Sequence, residues 1–330
     1  MAGSPVGVAV AGCGYWGKNL VRNLHQMGNL VAVCDPDPAA LEAVRASYRG
    51  IEATPDFDRI LDDQKVQAVA LAVPAEQHYA LAKKALLAGK DAFVEKPLAL
   101  EVPQAQELVD LAAREKRVLM VGHILEYHPA VRKLKEFVDA GDLGEIHYAY
   151  SNRLNLGKVR KEENILWSFA PHDISVILLL TGAMPEWAST SGQSYLQHDV
   201  ADVTMTCLAF PGRLRAHIFV SWLHPYKEQK LVVIGSRKMA VFDDVAKEGK
   251  LKIFDKGIEW KDGEPVIRQT AESTLFFPEM EPLHEELIHF VDCVRTRHAP
   301  RTDGVNGLKV LRVLDACQRS IREGGAPVRL

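Results

Sequence analysis

Residues 6–20 read VGVAVAGCGYWGKNL, and residues 30–35 read LVAVCD. The small and branched apolar residues over 6–11 suit a strand buried on both faces of a parallel sheet. Glycine ends the run, and helical spacing follows over 18–27. A second apolar run over 30–34 ends in Asp35. The turn Gly12-Cys13-Gly14-Tyr15-Trp16-Gly17 therefore lies between a predicted strand and a predicted helix, with an acid 18 residues after its last glycine. Each position has a physical task. Gly12 permits the tight turn, Gly14 lets the backbone approach a pyrophosphate, and Gly17 lets the helix pack close to the sheet. The helix start offers N–H groups and partial positive charge to phosphates. Asp35 accepts hydrogen bonds from the adenosine ribose hydroxyls. A 2′-phosphate would meet that carboxylate, and Pro36-Asp37-Pro38 brings no Arg or Lys to compensate. NAD is expected rather than NADP, with Cys13, Tyr15 and Trp16 in the same cofactor loop. The alternative, a glycine-rich turn with no ligand, must explain the coincidence of three glycines with the acid.

Working outward, the alternation continues. Strand-like residues 66–73 end at Pro74, and a helix over 75–88 stops at Gly89. A strand over 91–94 runs into Glu95-Lys96-Pro97. A helix over 101–115 and a strand over 118–121 follow. This order predicts a doubly wound parallel sheet, whose ligands bind beyond the carboxyl ends of the strands. Val73, Pro74, His78, Glu95, Lys96 and His123 fall near such ends and are candidate cofactor contacts. Pro97 keeps Lys96 out of helical geometry, so the lysine is extended at a strand tip. Shielded from water beside a nicotinamide, it could take a proton from a hydroxyl. The local sequence allows equally a solvated lysine paired with Glu95.

The second half changes character. A helix over 131–140 precedes a turn bracketed by Gly141 and Gly144. Strands are then predicted over 147–152, 203–210, 214–222, 230–234 and 250–254. Turns such as Pro211-Gly212 separate them, so a large, mostly antiparallel open sheet is expected in an α+β domain. A helix over 171–180 stops at Gly182, and helices over 282–295 and 303–322 close the chain. Two domains are expected: an α/β Rossmann domain over 1–124 and the α+β domain over 125–330. The last helices are expected to pack back on the first domain. A wide sheet with one uncovered apolar face is a liability.

Composition narrows the function classes. The 330 residues favour two domains. Apolar residues at 47% and charged residues at 25% give an ordinary folded chain. A net charge of −3 argues against a nucleic-acid binder. Cys13, Cys34, Cys207, Cys293 and Cys317 are scattered without a CxxC pair, so neither disulfide framework nor zinc ribbon is implied. The N-terminus lacks a signal-peptide pattern. Apolar runs such as 174–180 are far short of the roughly 18 residues a membrane helix needs. A cytoplasmic protein with no membrane partner is expected. His284-Glu-Glu-Leu-Ile-His289 is not HExxH. Five residues turn a helix by about 500°, leaving the imidazoles about 140° apart, so no metal is expected. No GxSxG elbow is present, so serine hydrolase chemistry has no support.

GCGYWG, Glu95-Lys96-Pro97, Val121-Gly122-His123 and Pro171-His172-Asp173, in this order over essentially the whole chain, resemble the Gfo/Idh/MocA family of glucose–fructose oxidoreductases and inositol dehydrogenases. The resemblance implies a catalytic role for Lys96. It implies that His172, at the start of the later helix, positions substrate and proton. Many members carry an Asp four residues before this His. Here that position is Ser168, which puts an Asp–His relay in doubt, and Asp173 lies on a different face. The resemblance also implies homodimers or homotetramers formed through the open sheet face.

Residues 151–161, SNRLNLGKVRK, carry Arg153, Lys158, Arg160 and Lys161. Guanidinium groups suit diphosphates by bidentate bonding, and a solvated basic loop balanced by Glu162 and Glu163 is the alternative. With Asn164-Ile165-Leu166-Trp167 and Pro171-His172-Asp173, the segment looks like the branch of the family that oxidises nucleotide sugars at the 3-hydroxyl. UDP-N-acetylglucosamine is the first expectation, ahead of an aminotransferase that makes a 3-amino sugar for a lipid A or cell-surface glycan. Substrate contacts are then expected from Lys96, Tyr127, Arg153, Asn155, Trp167, His172 and Asp173. The alternatives are the glucuronate form of that sugar, an inositol or free sugar, and a non-catalytic NAD-binding regulator.

Overall fold

The computed structural model describes residues 5–157 and 159–330. Lys158 lies outside the described residues. The chain divides into two compact units, one of Met1–Ile124 with Glu281–Leu311, the other of Leu125–Met280 with Arg312–Leu330.

The first unit alternates strand and helix: β1 (Val8–Ala11), α1 (Gly17–Gln26), β2 (Leu30–Cys34), α2 (Pro38–Ser47), β3 (Glu52–Thr54), α3 (Phe57–Asp62), β4 (Ala68–Leu71), α4 (Ala75–Leu87), β5 (Asp91–Val94), α5 (Val102–Arg114) and β6 (Leu119–Val121). The strands form one sheet in the order β3-β2-β1-β4-β5-β6, and every pairing is parallel. All residues of β1, β4 and β5 are buried. Cover on both faces is why these strands read as apolar runs without alternation. The strand order reverses between β1 and β4, the place where such sheets bind ligands. The stretch α2–β3–α3 has no counterpart in the sequence reading. α2 is set by Pro38 at its first position and by Asp37, whose Oδ1 accepts from the Ala39 N–H at 2.9 Å. β3 is three residues long and largely half-buried, too short to show a period.

The second unit contains α6 (Pro129–Asp139), β7 (Ile146–Leu154), α7 (Ile165–Thr181), β8 (Trp187–Gln193), β9 (Val203–Ala209), β10 (Arg215–Ser221), β11 (Glu228–Gly235), β12 (Met239–Asp243), β13 (Leu251–Lys261), β14 (Glu264–Leu275) and the short β15 (Val328–Arg329). A nine-stranded sheet runs β14-β13-β12-β11-β7-β10-β9-β8-β15. Its pairings are antiparallel except β7 with β10. The expected combination of a parallel Rossmann sheet and a large, mostly antiparallel one is borne out.

Two elements differ from the sequence reading. The helix expected over 171–180 begins at Ile165 and is buried on most sides. Asn164 caps it, accepting from the Trp167 N–H at 3.3 Å. Pro171 is therefore inside α7 rather than at its start. Proline favours the first turn, but apolar packing against β7, β9, β10 and α6 outweighs the lost i→i−4 bond. β13 runs well past residue 254 and pairs with β14 along its length. Its outer half and the facing half of β14 are exposed on both faces, with Trp260 of β13 and Ile267 of β14 largely in solvent. Without a covered face there is no alternation to read.

The closing helices are α8 (Pro282–Thr296) and α9 (Gly304–Arg322). α8 groups with the first unit, where Phe290 meets Phe93 edge-on at 5.7 Å. Arg22 pairs with Glu281 at 2.5 Å, and Arg297 pairs with the buried Asp91 at 2.8 Å. Among the described residues no helix is long and apolar enough to cross a membrane.

Candidate active site

The glycine turn is built as its residue types demand. Gly12 has φ +89°, and a Cβ there would lie 2.5 Å from the Ala72 carbonyl oxygen. A Cβ on Gly17 would lie 1.8 Å from the Gly12 carbonyl oxygen, which α1 crosses at its start. A Cβ on Gly14 would meet nothing within 4 Å. The first and last glycines serve the fold, while the middle one borders open space. Tyr15 is 77% exposed beside it. No side chain caps the start of α1; the Lys18 and Asn19 N–H groups donate to the Gly14 and Trp16 carbonyls at 3.3 and 2.8 Å, and the helix end still directs partial positive charge toward the turn.

Asp35 sits just beyond β2. Its Oδ2 accepts from the Cys13 N–H at 2.6 Å, and its Oδ1 accepts from the Asp37 N–H at 2.9 Å. Each carboxylate oxygen can accept again, so the side chain is oriented while retaining capacity for ribose hydroxyls. Burial, then the charge of Asp35, pushes the Cys13 thiol up to about 12. Cys13 thus acts through its backbone, not as a nucleophile. The turn, the uncapped helix and the fixed acid fit a dinucleotide.

The ends of β4, β5 and β6 bring a second group together. Lys96 is half-buried, and its bond to Pro97 is cis. Trp16 donates its indole N–H to Glu95 Oε1 at 2.5 Å, tying the glycine turn to the residue before Lys96. Burial pushes the Glu95 carboxyl up to about 7, against the lowering effects of Trp16 and Lys96. His123 is buried, its Nδ1 2.6 Å from Asn306 Oδ1. Burial, with the positive charge of Lys96, drives its pKa down to about 4, so the ring is neutral. Val73 is half-buried and Pro74 exposed at the end of β4. His78 is 1% exposed, with both ring nitrogens against backbone carbonyls. It has no surface to offer a cofactor, which corrects its reading as a direct contact.

In the second unit the expected substrate residues divide. Arg153 on β7 is 8% exposed. Its Nε donates to Asp173 Oδ2 at 2.8 Å and its terminal nitrogen to Asp173 Oδ1 at 3.1 Å. Ser151 donates to the same carboxylate at 2.5 Å. Burial disfavours the guanidinium charge, but Asp173 outweighs it and raises the pKa above its ordinary value. The fork that was to clasp a diphosphate is spent on an interior partner, and Asp173 is no substitute relay carboxylate. Both substrate readings are corrected: on adjacent elements, charges buried together satisfy each other.

His172 is half-buried on α7, and Ser168, one turn earlier, is buried. Trp167 donates its indole N–H to Gln318 Oε1 at 2.9 Å, and Asn164 donates to the same oxygen at 2.8 Å. Tyr127 is 2% exposed at the end of a 3₁₀ turn, Ile124–Tyr127. Asn155 follows β7, half-buried, its N–H donating to the Ser221 carbonyl at 3.1 Å. Arg160 pairs with Glu163 at 3.0 Å, and Lys161 is exposed. Among the described residues no group of three His, Cys, Asp or Glu side chains is arranged to hold a metal. Sequence reasoning missed the partners Asn306, Gln318 and Ser151, which have no local signal.

The comparisons with known proteins agree with this construction. Residues 6–123 match the domain described as "Oxidoreductase family, NAD-binding Rossmann fold", and residues 131–241 match the GFO/IDH/MocA C-terminal domain. The chain belongs to the Gfo/Idh/MocA oxidoreductase family. It is an oxidoreductase of that family with an NAD-binding Rossmann domain. It is 27% identical over 303 residues to the UDP-N-acetylglucosamine 3-dehydrogenase of Acidithiobacillus ferrooxidans, covering 92% of this chain and 93% of that protein. A solved structure of that enzyme superposes with a TM-score of 0.85 at 25% identity, over 96% of this chain and 97% of the other. The scyllo-inositol 2-dehydrogenase (NAD(+)) of Bacillus subtilis is also 27% identical, over 345 residues, covering 98% of this chain and 95% of that protein.

Proposed function

We propose that the chain oxidises the 3-hydroxyl of a UDP-N-acetylhexosamine, UDP-N-acetylglucosamine first, to the 3-keto sugar. The observation that carries this reading is the full-length likeness, in sequence and in fold, to UDP-N-acetylglucosamine 3-dehydrogenase. NAD, when bound, would supply the acceptor for the hydride at C3. Gly12, Gly14, Gly17 and the start of α1 hold the diphosphate, and Asp35 holds the adenosine ribose. Lys96, as the free amine, takes the hydroxyl proton and becomes an ammonium. The neutral His123 and the half-buried Glu95 line the same strand ends. His172 orients the reacting hydroxyl, with Asn155 and Trp167 as further substrate contacts. Proton transfer by a placed base is worth roughly 10²–10⁴ in rate.

The reading extends to an aminotransferase that consumes the ketone, in the making of an amino sugar for a cell-surface glycan. It extends also to a cytoplasmic homodimer or homotetramer formed through the nine-stranded sheet. In support of the latter, Tyr148 on β7 and Met205 on β9 are large exposed side chains of that sheet. A second reading, oxidation of an inositol or free sugar, is favoured by the commitment of Arg153 to Asp173, which removes one diphosphate cation, and by the equal identity to the inositol enzyme.

A panel separates them. The protein is incubated with NAD and UDP-N-acetylglucosamine, its glucuronate analogue, or scyllo-inositol. An aminotransferase and glutamate draw off the ketone, and NADH and product mass are followed. Loss of two hydrogens from UDP-N-acetylglucosamine is expected. Turnover confined to the glucuronate or to inositol would transfer the assignment there. Tight NAD binding with no turnover at all would favour a regulator.

A further inference from the structure

Two backbone carbonyls at the ends of neighbouring strands converge on one imidazole. His78 lies in the first turn of α4 and is fully buried. Its Nε2 is 3.0 Å from the carbonyl oxygen of Val73, beyond β4. Its Nδ1 is 2.7 Å from that of Pro97, beyond β5. The parallel ladder between these strands pairs Leu71 with Val94, and the Glu95 N–H donates to the Leu71 carbonyl at 3.0 Å. The ring spans the two loops past that bond. Pro97 has no N–H, so the chain next to Lys96 lacks a backbone donor at that position. A buried carbonyl there needs a donor from elsewhere, and His78 is placed to supply it.

We infer that His78 is a positioning residue: it donates to the Pro97 carbonyl and so holds the segment that carries Lys96 against the first turn of α4. The inference rests on the reading of Lys96 as the base. A misplacement of about 1 Å in a reacting group costs on the order of 100-fold in rate, so a clamp one peptide away has leverage. Burial lowers the pKa of His78 and the charge of Lys96 lowers it further, while the two carbonyls and Glu76 oppose this. A neutral ring donates to one carbonyl only. Glutamine offers two N–H bonds from one nitrogen without ionising, so it is the conservative replacement.

The test compares His78→Ala, His78→Gln and Lys96→Ala in the full chain. Three quantities are read: NADH affinity by fluorescence, kcat and KM on the substrate found by the panel, and the rate of reductive methylation of each lysine by peptide mass. His78→Ala is expected to lower kcat by about 30- to 100-fold, with NADH affinity and substrate KM nearly unchanged. Methylation of Lys96 should rise several-fold, while Lys83 and Lys90 of the same unit keep their rates. His78→Gln should recover most of kcat and the slow labelling of Lys96. Wild-type kcat and labelling in His78→Ala would overturn the inference. So would equal acceleration at all three lysines with loss of NADH binding, the signature of a general packing role. If His78→Ala does not fold, a folded His78→Gln with fast Lys96 labelling and depressed kcat overturns it, and wild-type behaviour supports it. Turnover retained by Lys96→Ala would end the base assignment, and the labelling would still report whether His78 fixes that lysine.

Discussion

At the end of β1, Gly14 borders open space and Asp35 keeps capacity to accept further bonds. In the layer of β7 and α7, Arg153, Asp173 and Ser151 close on one another and are buried. Both regions were expected to bind ligand. In the first, the polar groups are oriented by backbone and leave something over for a partner. In the second, the charges are one another's partners. The difference teaches that a motif which constrains the backbone identifies a site more surely than a charged side chain on a strand does.

The largest effect expected concerns the first region. Lys96→Ala should lower turnover by about 10³-fold, in the middle of the range for a lost general base, with NADH affinity preserved. Steady-state rates and NADH fluorescence measure both. A variant that keeps its rate would put Lys96 in the same class as Arg153, a charge with a structural task.

The second effect sharpens the contrast from the other side. Arg153→Ala should destabilise the chain by about 3–5 kcal/mol, because it leaves Asp173 buried without its cation. Replacing the pair together, Arg153→Met with Asp173→Leu, should restore most of that stability. Urea unfolding of the three variants checks it. Normal stability in Arg153→Ala, combined with weakened UDP-sugar binding, would return Arg153 to the binding class.

Within the glycine turn the comparison repeats on a smaller scale. Gly14→Ala should fold as well as the parent and lose roughly tenfold in NADH affinity, since its Cβ intrudes only on the pyrophosphate. Gly17→Ala should lower the melting temperature, because its Cβ meets the Gly12 carbonyl oxygen at 1.8 Å. Equal melting temperatures for the two would remove the distinction.

The smallest effect is on pH dependence. His123 has its pKa driven by burial from 6.5 to about 4. Between those values the unfolded chain holds a proton that the folded chain does not, so this group makes stability fall as pH falls through that window. Glu95 runs the other way. Its pKa is raised by burial from 4.5 to about 7, so the folded chain holds the extra proton and stability falls as pH rises through that window. Urea midpoints across these windows should lose the first slope in His123→Gln and the second in Glu95→Gln.

What was legible in the sequence follows the same division. The run over 6–11, the three glycines and Asp35 declared the Rossmann unit because buried parallel strands need apolar runs and tight turns need glycine. Pro97 marked Lys96 as extended at a strand tip. The short β3 had no such signal, and Pro171 misled because a proline inside a buried helix resembles one at its start. The partners that give the site its shape lie far apart in sequence. Trp16 and Glu95 are separated by 79 residues, and His123 and Asn306 by 183. Arg153 and Asp173, 20 residues apart, join a strand to a helix whose start had been placed too late. No local pattern encodes such pairs.

The most direct test of the central claim is isotopic. The wild-type chain is incubated with NAD and UDP-N-acetylglucosamine deuterated at C3, and the masses of reduced cofactor and sugar are measured. Deuterium in the reduced cofactor, with a sugar that has lost the C3 deuterium and the hydroxyl hydrogen, is the expected result. An unchanged sugar and cofactor, from a protein that binds NAD and oxidises a polyol under the same conditions, would contradict the account.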